Sequence, residues 1–444
     1  MVKNIHPGTQ MKTELPLTAS EALCAMEQNK ISSARYTQAC IERIKSFDGK
    51  VQAWAHFDGA RALAQAEALD KMSKNIGPLH GVPIGLKDII NTRDMPTACG
   101  SDLFSGRRPE NDATVVRLLR DAGAIIMGKT VTTEFALSGA GATRNPCDLS
   151  RTPGGSSSGS AAAVACGMVP LSIGSQTGGS MLRPASYCGI YGFKPTFGSI
   201  SRAGVFILSR RLDHLGIYAR CLEDLALVAD VLMMHDPADT ESHYNSKQML
   251  CDAMLEKAQN PRIGIYKGEA WTSLEDGTEN LFNMTAEKLG ARAVLVPEEA
   301  VDALSLHITI MNASATANLG CFVNETNKIL PETLKRVSAG MSISAAQYVN
   351  AIDRAAVVTS ALNQIFDDVD VLLTPAATGE APIGIKYTGN PVMQKTWTLA
   401  GMPTISLPVM KGPNGLPIGL QVIGQYGHDA ELLRHAAWIE RELT

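Results

Sequence analysis

Lys87 is the first residue of this 444-residue chain whose setting asks for a chemical explanation. It closes the apolar part of Gly81-Val-Pro-Ile-Gly-Leu-Lys-Asp-Ile-Ile90, a run of strand character, and lysine is rarely buried without a partner or a purpose. A salt bridge to Asp88 is the structural alternative, but alternation along a strand sends neighbouring side chains to opposite faces. Desolvation would lower the amine pKa and leave Lys87 neutral, able to act as a general base. The second unusual stretch is residues 152–193, 42 residues with nine Gly and eight Ser, in which Arg183 is the only charged member. A flexible linker does not contain the apolar helix and strand that these two Gly/Ser turns bracket. Small residues in such turns let backbone approach a ligand closely. Gly178-Gly179-Ser180 can present several N–H groups toward one point, as an oxyanion hole or an anion nest requires.

Rival chemistries are less well served. The Walker spacing is absent and no Gly-x-Gly-x-x-Gly opens a helix, so a nucleotide cradle is not expected. Gly155-Ser-Ser-Ser-Gly159 fits a nucleophile elbow centred on Ser157, but a five-residue match in a Ser-rich run carries little weight without an Asp/Glu and a His downstream. None of the nine histidines lies in a metal-type pair; His80 and His214 are candidate bases for which a hydrogen-bonded structural role is the expected one. The nine cysteines are scattered without a Cys-x-x-Cys pair, so neither a disulfide framework nor a zinc site is expected, and most should be small buried residues in a reducing cytoplasm.

The elements that must hold these residues read as follows. Residues 18–73 are helical: Thr18-Ala-Ser-Glu21 has capping-box spacing, a second amphipathic stretch starts after Ser33, and a third covers 61–72. Short apolar runs at 82–86, 124–127 and 169–173 then alternate with helical patterns at 112–122 and 222–233. Further strand-like runs occur at 263–266, 293–296, 371–374, 405–408 and 420–423, with a mostly helical stretch between 300 and 362. This alternation predicts one large α/β domain over 1–444, a mixed central β-sheet covered by helices on both faces. Within it we expect a helical N-terminal part near 15–75, a catalytic core near 76–235 and a peripheral, substrate-side region near 300–400.

Composition narrows the partners. Lys plus Arg (40) against Asp plus Glu (44) gives a net charge of -4, so no basic field exists for nucleic acid. The longest apolar run, 161–171, falls short of the ~18 residues of a membrane span. The start Met1-Val-Lys-Asn-Ile-His-Pro lacks the plan of a signal peptide. A cytoplasmic protein with no nucleic-acid and no membrane partner is expected.

Three blocks together resemble the amidase signature family of Ser-Ser-Lys amidohydrolases: Gly-Val-Pro-Ile-Gly-Leu-Lys-Asp (81–88), Thr-Pro-Gly-Gly-Ser-Ser-Ser-Gly-Ser (152–160), and Gly-Ser-Gln-Thr-Gly-Gly-Ser (174–180) followed by Arg-Pro-Ala-Ser-Tyr-Cys-Gly-Ile-Tyr-Gly-Phe-Lys-Pro-Thr. The likeness extends to Gly-Met-Pro-Thr-Ile-Ser-Leu-Pro (401–408) and Gly-Leu-Pro-Ile-Gly-Leu-Gln (415–421). It implies Ser180 as nucleophile, Ser156 as a bridging serine on a cis peptide bond after Gly155, and Lys87 as base. It also implies an oxyanion hole from the N–H groups of Thr177, Gly178, Gly179 and Ser180. The implied activity is hydrolysis of a linear, non-peptide C–N bond (amide, ureide or carbamate-like) through a serine acyl-enzyme, without metal or cofactor, on a small-molecule amide. A homodimer is compatible with it. Two alternatives stand beside this reading: the glutaminase (A) subunit of a tRNA-dependent amidotransferase, and a non-catalytic scaffold on the same fold. Where many members of the family have Asp and Arg, this chain has Gln176 and Leu182, with Arg183 one position on. The joint loss is expected to replace an ion pair with neutral contacts.

Overall fold

Alternation along the strands decides the layers. In the computed structural model, which describes residues 18–243, 249–256 and 260–444, the strands are β1 (Trp54–Phe57), β2 (Pro83–Lys87), β3 (Ile125–Thr130), β4 (Leu171–Gln176), β5 (Tyr191–Lys194), β6 (His214–Ala219), β7 (Ile263–Ile265), β8 (Arg292–Ala293), β9 (Val371–Pro375), β10 (Thr404–Lys411) and β11 (Pro417–Ile423). They form one sheet in the order β1-β3-β2-β4-β6-β5-β10-β11-β9-β7-β8. β3, β2 and β4 run parallel, as do β9, β7 and β8, and the strands between these groups pair antiparallel. The fold is therefore a single large α/β domain with a mixed sheet, as the sequence predicts.

Successive side chains point to opposite faces. Ile126 of β3 joins a core with Val115, Val116 and Leu119 of the helix Thr114–Asp121 and with the helix Leu222–Leu232. Its neighbours Ile125 and Met127 join a second core on the other face, with the helices Ser33–Val51, Gly59–Asp70 and Ser158–Ala165. The runs read as continuous apolar strands because both faces are covered. Thr18 forms the predicted capping box with Glu21. The helices Ala303–Leu319, Pro331–Met341 and Ala345–Gln364 fill the expected helical stretch.

Some expectations shift. β8 covers two residues instead of the four read from 293–296. Of the nine free cysteines four are buried, three are half-buried, and Cys24 and Cys321 are exposed, so burial is less general than expected. The segment 1–17, on which the signal-peptide reading rests, lies outside the described residues. No helix among the described residues is long and apolar enough to cross a membrane.

Candidate active site

Lys87 ends β2. Ile84 and Leu86 belong to one core, so alternation turns Gly85 and Lys87 to the other face, toward the helix Ser158–Ala165 and the turn that precedes it. That turn carries Ser156 on a cis bond after Gly155. Lys87 is fully buried, and its Nζ donates to Ser156 Oγ and to Ser175 Oγ, both at 2.7 Å. Asp88 does not pair with it; its carboxylate lies 3.9 Å from Lys129 Nζ. Burial lowers the Lys87 pKa from 10.5 to about 7, against a smaller raising effect of the Asp213 charge.

Ser180 follows β4 in the turn that leads into the helix Leu182–Cys188. Exposure rises from Lys87 (0%) through Ser156 (4%) to Ser180 (8%), so the three hydroxyl and amine groups descend from the solvent side inward. Lys87 and Ser156 are hydrogen-bonded; no hydrogen bond joins Ser156 to Ser180 among the described residues. The amides of Thr177, Gly178, Gly179 and Ser180 donate to no protein acceptor among the described residues. Their carbonyls and side chains are pinned instead. His307 Nε2 meets Thr177 O at 2.7 Å, Thr398 Oγ1 donates to Gly178 O at 2.8 Å, and Tyr218 donates to Ser180 O at 3.0 Å. Thr177 Oγ1 donates to Asp213 at 2.6 Å. A Cβ on Gly179 would sit 2.4 Å from Gln394 Oε1, so glycine is needed there for close approach.

Gln176 shows what the neutral replacement does. Its Oε1 accepts from the amides of Met181 (2.8 Å) and Leu182 (3.2 Å), and its Nε2 donates to Thr398 Oγ1 at 3.0 Å. Leu182 is fully buried in the second core. Ser157, the elbow candidate, is committed to structure: its Oγ donates to Ser175 O at 3.0 Å and accepts from Ser175 N at 3.2 Å. His80 Nδ1 accepts from Ile76 N at 3.3 Å, and His214 Nδ1 meets Leu212 O at 2.8 Å with its ring edge-on to Phe197. Burial pushes the His214 pKa well below its usual value, and neither histidine bonds to Lys87, Ser156 or Ser180.

Sequence reasoning missed four residues here: Ser175, Asp213, His307 and Thr398. Ser175 had a readable signal, a hydroxyl inside an apolar strand in the same Gly/Ser block as Ser180. Asp213 stands beside His214 but carries no local pattern, and His307 and Thr398 reach the site from 130 and 220 residues away.

Comparison with known proteins agrees with this arrangement. The Amidase family model matches residues 35–433. The glutaminase-type (A) subunit of the glutamyl-tRNA(Gln) amidotransferase from Chloroflexus aggregans is 35% identical, covering 94% of this chain and 94% of that protein. Among solved structures, a chain from a vestigial protein complex that reveals the evolutionary origins of an s-triazine catabolic enzyme superposes with a TM-score of 0.90 at 28% identity, covering 96% of this chain and 98% of that one. A crystal structure of an amidase superposes with a TM-score of 0.86 at 30% identity, covering 96% of this chain and all of that one.

Proposed function

The chain belongs to the amidase family, hydrolases of amide C–N bonds, and on that premise we propose that it hydrolyses a linear, non-peptide amide through an acyl-enzyme on Ser180. The observation that carries this reading is the fully buried Lys87 amine, lowered to about 7 and bonded to Ser156. Neutral Lys87 takes the Ser156 proton while Ser156 takes that of Ser180, and Ser180 Oγ attacks the carbonyl carbon. The oxyanion forms opposite the free amides of Thr177, Gly178, Gly179 and Ser180, whose dipoles are already oriented. The proton then returns through Ser156 to the nitrogen as the C–N bond breaks, which spares the departure of an amine anion. Water hydrolyses the ester and releases the acid. Ser156 and Ser180 draw together when substrate fills the site, as catalytic hydrogen bonds commonly tighten in the complex. The substrate-side loops are 135–141, 311–324 and 383–397; the last brings Thr388 within 2.7 Å of a Cβ on Gly155 and Pro391 within 3.0 Å of one on Gly179.

A second reading is favoured by the full-length similarity to the corresponding subunits of glutamyl-tRNA(Gln) amidotransferases. In it the same chemistry releases ammonia from glutamine for a partner. The similarity of sequence supports it more directly than it supports any free amide. The two separate in one experiment, ammonia release by the isolated chain from glutamine and from aliphatic, aryl, ureido and carbamate compounds, with Ser180→Ala as control. Turnover of non-glutamine amides without partners is the expected result. Turnover of glutamine alone, and only after the partner proteins of an amidotransferase are added, replaces the first reading by the second. No turnover of any compound refutes both.

A further inference from the structure

Three cations surround Ser180 with little to neutralise them. Arg183, three residues beyond Ser180, is 4% exposed; its Nη2 donates to Gly155 O at 2.5 Å and to Thr388 Oγ1 at 3.3 Å, while Nε and Nη1 have no partner. Had the arginine stood at 182, it would lie where Leu182 fills the core. Its place at 183 brings it instead against the peptide that carries Ser156.

Lys395 is half-buried in the helix Val392–Leu399. It stands four residues after Pro391 and three before Thr398, which puts all three on one helix face. Pro391 and Thr398 are the residues that meet Gly179 and Gly178. Arg336, on the helix Pro331–Met341, completes the group: its charge acts on Arg183, Lys395 and His307, and His307 is bonded to Thr177. Neither Arg336 nor Lys395 forms an ion pair or a hydrogen bond among the described residues. The Glu269 carboxylate acts on Lys395 less than either arginine does, and burial with those two charges lowers its pKa to about 8.

Uncompensated buried charge is costly unless an opposite charge arrives to pair with it. The partnerless Nε and Nη1 of Arg183 form part of a planar fork suited to a carboxylate. We propose that Arg183, Lys395 and Arg336 bind a carboxylate carried by the substrate, so that the chain acts on short amides bearing a free carboxylate and no ammonium. This rests on the amide-hydrolysis reading and narrows it. Glutamine meets the carboxylate requirement but brings an ammonium into a field of three cations, which disfavours it.

The test compares kcat/KM for the half-amides of two-, three- and four-carbon dicarboxylic acids with that for neutral alkyl amides of equal length and for glutamine, on the full chain. The best half-amide is expected to exceed its neutral counterpart and glutamine by tenfold or more. Lys395→Met should cut that preference about tenfold, mainly through KM, and Lys395→Arg should recover it; Arg183→Gln should cut it further. If Arg183→Gln does not fold, the half-buried Lys395 decides. Equal rates for anionic and neutral amides in the wild type, or a preference untouched by Lys395→Met, overturn the proposal. Labelling of Ser180 by a fluorophosphonate tells the failures apart. Label with neutral-amide turnover alone removes only the carboxylate site, whereas no label and no turnover removes the hydrolase reading together with it.

Discussion

A lysine that is neutral near pH 7 owes that state to where it is placed. Lys87 is titrated by its surroundings: burial pushes the pKa down, and the Asp213 charge holds it partly up. Only the unprotonated amine accepts a proton, so kcat/KM is expected to rise as pH passes through about 7 and to level off above it. Asp213→Asn removes the raising charge and should move that limb to lower pH. Lys87→Ala should cost roughly 10³-fold or more and abolish the limb, because members of such a relay act as a unit. A pH profile of the three proteins on one amide substrate checks this. An unchanged limb in Lys87→Ala would mean that another base operates. At this scale the sequence exposed Lys87 because a cation at the end of an apolar strand is anomalous by itself. It hid Ser175, whose contact with Lys87 spans 88 residues, and it hid the role of Arg183, whose partners Gly155 and Thr388 lie 28 and 205 residues away. Such contacts depend on how strands order in the sheet, which spacing along the chain does not encode.

Among the elements, the helix Ser158–Ala165 sets the position of Ser156, and it does so by lying unusually close to its neighbours. A Cβ on Gly159 would fall 2.2 Å from Ala53 O and 2.3 Å from Val131 N, both backbone atoms that cannot move aside. Gly159→Ala is therefore expected to destabilise the fold by about 3 kcal/mol or more, seen as a lower urea midpoint, and to reduce activity by displacing Ser156 from Lys87. An unchanged midpoint would mean that the helix shifts freely. The Gly/Ser/Ala composition of this segment made it legible as a close-packed element. Short apolar runs likewise announced β2, β3, β4, β9, β10 and β11 within a few residues. β1, β5 and β6 escaped. β6, His214–Ala219, lies between β4 and β5, yet its histidine, glycine and tyrosine break the apolar run that marks a buried strand. Its burial comes from the helices over both faces, not from its own composition.

For the molecule as a whole, low charge content has a local meaning. Charged residues are 19% of the chain, and the stretch 152–193 contains one, Arg183. The apolar and Gly/Ser-rich interior keeps Lys87 neutral and strengthens the N–H dipoles at Thr177–Ser180, because electrostatic effects grow as water is excluded. The same interior makes Arg183, Arg336 and Lys395 strong where they surround the entrance. The fold class and the order of the catalytic blocks were readable because they are local and composition-rich. The peripheral helices gave only their helicity, since the site-facing side of each is decided by docking onto the sheet. Everything in the mechanism depends on Ser180 being a nucleophile activated by Lys87. Reaction of the folded protein with a fluorophosphonate, followed by mass spectrometry of the labelled peptide, probes that dependence without reference to any substrate. A single adduct on Ser180 is expected, absent in Ser180→Ala and formed far more slowly in Lys87→Ala. Folded protein that takes no label, or Lys87→Ala that labels at the wild-type rate, would contradict it.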